Sequence, residues 1–106
     1  MDEKSRILSY IAWYLLWLKA NDANIVITKN NDVVIIEKNN TDIDSFISYF
    51  KSQLLDYILF HNYALDWSYD ELYNLFQKTQ DDIFRYIEQK NDKLVLDISG
   101  YKWNWF

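Results

Sequence analysis

Apolar side chains recur along this chain with two periods, one of three-and-four and one of two, and their alternation predicts the order of elements. The densest stretch is residues 7–18, where Ser9 is the only polar interruption. Ile7, Ile11, Tyr14, Leu15 and Leu18 share one helical face, and Tyr10, Trp13 and Trp17 make a second face apolar. A helix apolar nearly all round needs cover on several sides, so this one is predicted to be the hub on which later elements pack. Asn21-Asp22 should end it. Two β-branched runs follow, 24–28 and 33–37, around residues 29–32. Asn tolerates the left-handed conformation of a tight turn, which predicts a hairpin. With Asn30-Asn31 as its turn, Lys29 faces Asp32, Ile27 faces Val34 and Ile25 faces Ile36. Residues 33–36 are apolar on both faces, as in an inner strand covered on both sides.

Thr41 is placed to cap a second helix, with Asp42 and Asp44 at the positive end of its dipole. Ile43, Phe46, Ile47, Phe50, Leu54, Tyr57, Ile58 and His61 form its core-facing stripe, and the broadly apolar residues 57–65 mark that end as the more buried. Ser68 and Glu71 have capping-box spacing, with Trp67 and Leu72 placed as the hydrophobic staple, so a third helix starts at Tyr69. Its stripe of Leu72, Leu75, Phe76, Ile83, Tyr86 and Ile87 runs to a stop at Asn91-Asp92. A kink or break is expected in the polar residues 77–82, and Asp81 and Arg85 are spaced to support the second half. Leu94, Leu96 and Ile98 then alternate with Lys93, Val95 and Asp97, Ser99-Gly100 offers a turn, and Tyr101, Trp103 and Trp105 alternate with Lys102, Asn104 and Phe106. This predicts a second hairpin with Asp97 opposite Lys102, Leu96 opposite Trp103 and Leu94 opposite Trp105. The expected fold is therefore α+β over residues 1–106 as a single domain. Its order is helix, hairpin, two helices, hairpin, with about four antiparallel strands and three helices mainly on one face; two separate small sheets are the alternative. No internal repeat or linker is visible.

Composition narrows the chemistry. Half of the 106 residues are hydrophobic, enough for a core without staples. The absence of cysteine removes disulfides, thiolate metal sites and cysteine nucleophiles, and a single glycine, Gly100, removes the glycine-rich loops that cradle phosphates. Sixteen acids against eleven bases give a net charge of −5, which disfavours direct contact with nucleic acid or anionic lipid and favours a basic partner. The apolar run at 7–18 falls short of the roughly twenty residues of a membrane span. Its mixed-charge leader is unlike a secretory signal. The expectation is a cytoplasmic protein of a bacterial host cell with no membrane association. Lysine over arginine, with frequent Asn, Ile and Tyr, matches AT-rich codons.

No catalytic constellation emerges. His61 is the only histidine and reads as structural or surface. Glu37 and Lys38 are adjacent, so on a strand they point oppositely and do not make the acid-x-lysine arrangement of metal nucleases. Asp70-Glu71 and Asp81-Asp82 have helix-start explanations, and no serine sits in a nucleophile elbow. Neither an enzyme, a cofactor nor a metal site is expected. Aromatic residues, at 19% of the chain, exceed what a small core hides, so some are expected at an interface. The candidate partner-binding residues are Asp66, Asp70, Glu71, Asp81, Asp82 and Phe106, the acids to steer and the ring to anchor.

In size, acidity and low-GC composition the whole chain resembles the short, largely phage-borne anti-defence proteins, anti-CRISPR-like, that block CRISPR or restriction enzymes by occupying nucleic-acid channels. The resemblance implies an inhibitor of a nucleic-acid-binding enzyme. It carries over no binding residue. A toxin-neutralising immunity protein and a homodimeric structural or assembly protein are the alternatives.

Overall fold

The structure, a computed structural model, describes residues 2–62 and 67–102. Its elements are α1 (Glu3–Asn21), β1 (Ile25–Asn30), β2 (Val33–Lys38), α2 (Ile43–Asn62), α3 (Tyr69–Tyr86), β3 (Ile87–Lys90) and β4 (Lys93–Asp97). The four strands form one antiparallel sheet in the order β1-β2-β4-β3. The expected α+β class and single four-stranded sheet are present.

α1 starts where Asp2 accepts from the Ser5 N–H at 2.7 Å, satisfying one of the orphan donors of the first turn. The expected face of Ile7, Ile11, Tyr14, Leu15 and Leu18 is buried, together with Leu8 and Ala12. Against it lie Phe46, Phe50, Leu54, Tyr57 and Ile58 of α2, and Ile25, Val34, Ile36, Ile87, Leu94 and Leu96 from one side of the sheet, in a single core. Tyr14 is at its centre. Its ring meets Phe50 edge-on at 5.0 Å and Tyr57 at 5.4 Å, and its hydroxyl donates to the Phe50 carbonyl.

The first hairpin turns on Asn31-Asp32, one residue later than expected, with Asn31 at φ 56°. Ile27 therefore faces Ile36, and Ile25 faces Lys38. This register differs from the expected one by an even number, so each side chain keeps its face. β2 is an inner strand, as its composition implied. However, only Val34 and Ile36 are buried; Val33 and Ile35 lie half-exposed on the opposite face, where Glu37 pairs with Lys93 at 3.4 Å. In α2 the cap is Asp42, which accepts from the Ser45 N–H at 3.0 Å, and Thr41 instead donates to the Asn39 carbonyl. Of residues 57–65, expected to be the more buried end of α2, Tyr57 and Ile58 are buried and Leu59, Phe60 and His61 are exposed, while residues 63–65 lie outside the described residues.

The second hairpin departs most from expectation. α3 begins at Tyr69, with Ser68 accepting from the Glu71 N–H at 3.2 Å, and runs unbroken through residues 77–82. It ends at Tyr86 rather than at Asn91. Residues 87–90 form β3, and Asn91-Asp92 is the turn into β4. Glu88, Gln89 and Lys90 are good helix formers, but burying Ile87 beside Leu96 and completing the ladder of β4 outweigh that preference. Leu94 and Leu96 pair with Ile36 and Val34 on one side and with Gln89 and Ile87 on the other. β4 thus lies between two neighbours, so the partner positions expected for Trp103 and Trp105 beside Leu96 and Leu94 are already filled. Ser99-Gly100 is a real turn, with Gly100 at φ 79° and the Tyr101 N–H returning to the Ile98 carbonyl, but no strand follows through Lys102. Trp103, Trp105 and Phe106 lie outside the described residues.

A regularity hidden in the sequence emerges here. Each hairpin follows a helix and turns on Asn-Asp, and both turn asparagines sit at φ 56°. The step along the chain from Asn31 to Asn91 also carries Ile35 to Val95, and those two face one another across the central strand pair. An approximate twofold therefore relates the hairpin β1-β2 to the hairpin β3-β4.

The open end of α1 is locked by Asp22. Its carboxylate accepts from Lys38, from the Tyr49 hydroxyl at 2.7 Å and from the Asn24 N–H at 2.9 Å, joining α1, β2 and α2. Lys38 also lies 4.4 Å from the centre of the Tyr49 ring. Asp22 and Lys38 are only 12% and 15% exposed. The hydrogen bond from Lys38, then those from Tyr49 and Asn24, hold the Asp22 carboxyl at about 2, while burial, then Asp22 itself, push the Tyr49 hydroxyl up to about 12. A carboxyl whose folded value lies below its unfolded one contributes stability above about pH 4 and loses it as pH falls toward 2. Denaturant unfolding between pH 7 and 2 should show an acid-labile share of about 2 kcal/mol, and Asp22→Asn should remove that share. A variant with the wild-type acid profile would show that Asp22 does not couple to folding.

Candidate functional site

α1 and α3 pack antiparallel, with Arg85 near the end of α3 bonded to Glu3 at 3.2 Å. Between them lies a groove of about 410 Å³, floored by Ile7, Tyr10, Leu75 and Ile83 and bordered by Trp13. These residues share a groove because their spacings, three along α1 and eight along α3, keep them on one face of each helix. On its other side Trp13 borders a second, shallower depression with Leu16, Trp17, Tyr57 and His61. The indole is thus the ridge between two apolar hollows, and it is 62% exposed. Leu16, and Phe60 at 59%, extend this apolar surface toward the end of α2. On the first turns of α3, Tyr69 and Tyr73 stack at 6.2 Å and are also exposed.

The second apolar face of α1 is therefore only partly covered. Tyr10 and Trp17 are half-buried, the former edge-on to Tyr57 at 5.6 Å, while Trp13 stands out. Periodicity reports that a face is apolar; it does not report whether another element arrives to cover it. The available signal was the surplus of rings over core volume.

No family model, curated protein or solved structure matches the chain.

Of the sequence-predicted residues, the structure places Asp70 and Glu71 in the first turn of α3, exposed, where they complement the helix dipole. Asp81 is exposed about three helical turns further on, roughly 16 Å along the axis. Asp82 is turned into the α1–α3 groove and pairs with Arg85 at 3.3 Å, in place of the anticipated Asp81–Arg85 pair. The acids share one helix, but Lys78 and Arg85 interleave with them, so they do not form an unbroken anionic face. Asp66 and Phe106 lie outside the described residues. His61, expected on the core stripe, is exposed, with its ring 4.2 Å from that of Tyr57. Glu37 and Lys38 do diverge, toward Lys93 and Asp22.

Among the described residues no group of three or more acidic or histidine side chains is arranged to hold a metal ion. No helix among them is long and apolar enough to cross a membrane. What the arrangement offers chemically is contact: an aromatic ridge, two apolar hollows and separated surface charges.

Proposed function

We propose that this chain is a small acidic protein-binding inhibitor, docking on a basic, nucleic-acid-binding surface of a bacterial defence enzyme such as a CRISPR or restriction effector. The observation that carries the reading is the exposed Trp13 ridge between two apolar hollows. A large ring set among apolar pockets is the kind of anchor that supplies most of the affinity of a protein interface once it is desolvated. Asp70, Glu71 and Asp81, in solvent on the neighbouring helix, supply attraction toward a positive partner and act on the association rate. No catalytic step belongs to the reading, and the site needs no cofactor.

The test uses nucleic-acid-binding effectors from the source cell or its phage host. Binding should compete with nucleic acid and weaken as salt rises. The Asp70→Asn/Glu71→Gln/Asp81→Asn variant should fold normally and associate about tenfold more slowly at low salt. It spares Asp82, whose bridge to Arg85 is structural. An unchanged association rate, or a complex indifferent to nucleic acid, would remove the inhibitor reading. Light scattering that finds a dimer closed over Trp13 would replace it with self-association.

A further inference from the structure

We infer that the groove between α1 and α3 binds a small aromatic carboxylate, independently of any protein docked on the Trp13 ridge. The floor of Ile7, Tyr10, Leu75 and Ile83 and the flanking indole suit an apolar planar body, and a volume of about 410 Å³ falls in the range of small-molecule sites. The charges that line this floor set the sign of the ligand. Arg6 reaches it from α1 and Lys78 from α3, and neither has an ion pair among the described residues. The one acid of the groove, Asp82, is engaged by Arg85. In a chain of net charge −5, two cations with no ion pair among the described residues line one apolar trough.

Two hydroxyls complete the polar set. Tyr10 and Thr79 both line the groove and are at most half-exposed, and no hydrogen-bond partner of either hydroxyl is present among the described residues. Burial raises the Tyr10 hydroxyl above its ordinary pKa, so it stays protonated and is available to donate. A carboxylate can take a bidentate pair from the Arg6 guanidinium, a point charge from Lys78 and a hydroxyl proton. A neutral body of the same shape would keep only the apolar contacts and leave the cations unanswered.

The experiment titrates the full chain with naphthalene-1-carboxylate and, in parallel, with naphthalene-1-carboxamide, following backbone amide resonances. The carboxylate should saturate one site with a Kd of about 1 mM or tighter. The largest shifts should fall on the groove-lining residues of α1 and α3. The carboxamide should bind at least tenfold more weakly, and Arg6→Gln/Lys78→Gln should weaken the carboxylate about tenfold while leaving the melting curve unchanged. Equal binding of the two probes would overturn the proposal, since the groove would then be apolar surface only. So would shifts centred elsewhere, or no saturation by roughly 10 mM. Groove resonances that move with protein concentration alone would assign the groove to a second copy of the chain. The first three failures leave the docking reading to its own test, which measures a macromolecular partner, whereas a second copy in the groove would count against both.

Discussion

Tyr14→Ala should lower the unfolding free energy by about 4 kcal/mol, the largest loss expected from any single side chain of α1. The residue is fully buried and is ringed by Phe50, Tyr57 and Trp17. Truncation opens a cavity at the meeting point of α1 and α2, which can close only by moving both helices. Against a typical domain stability of about 5–15 kcal/mol, that loss should lower the Tm by roughly 20 °C. Tyr14→Phe separates packing from polarity. It removes only the hydroxyl that donates to the Phe50 carbonyl, and should cost about 1 kcal/mol. Urea unfolding of the two variants measures both numbers. A Tyr14→Ala loss under about 1.5 kcal/mol would mean that α1 is not the packing centre.

Trp13→Ala, only one residue away, should do the opposite. With 62% of its surface in solvent, the indole contributes little to the core, and its loss should change stability by less than about 1 kcal/mol. Its removal should weaken partner binding by 100-fold or more, the scale of an aromatic hot spot. Calorimetry of the complex, paired with urea unfolding of the free variant, reads both effects. Binding that survives while stability falls would reassign Trp13 to the interior and displace the contact surface from α1. Neighbouring side chains of one helix are thus expected to divide cleanly between folding and recognition.

That division explains how much the sequence disclosed. The buried face of α1 was legible because five residues at helical spacing leave no other arrangement. The start of α3 was legible because the Ser68 hydroxyl, accepting from the Glu71 N–H, satisfies a local demand of the backbone. The first hairpin was legible to within one turn residue, since three consecutive Asn/Asp residues offer alternative turns of similar energy. The second was misplaced. Glu88-Gln89-Lys90 continues a helix locally and becomes a strand only through pairing with β4, a long-range outcome that a local pattern does not carry. Gly100 marked a turn correctly, but a turn does not make a hairpin when the preceding strand already has neighbours on both sides.

The candidate site divides along the same line. Asp70, Glu71 and Asp81 are where a surface charge should be, since desolvating them without partners is unfavourable. Asp82 differs because Arg85 sits within one turn of it and Glu3 approaches from another helix. The aromatic ridge was missed for want of any local signal that a second apolar face stays open. The Asp22, Lys38 and Tyr49 junction was missed because its three members come from three elements.

The claim that α1 is interior scaffold on one side and open contact surface on the other is tested most directly by 5-fluorotryptophan labelling. The Trp13 signal is assigned with Trp13→Phe, and its resonance shift between H₂O and D₂O reports contact with solvent. Trp13 should show a large solvent shift and Trp17, stacked on Tyr14 at 6.4 Å, a distinctly smaller one. A Trp13 shift as small as that of Trp17 would contradict the exposed ridge on which the docking reading stands.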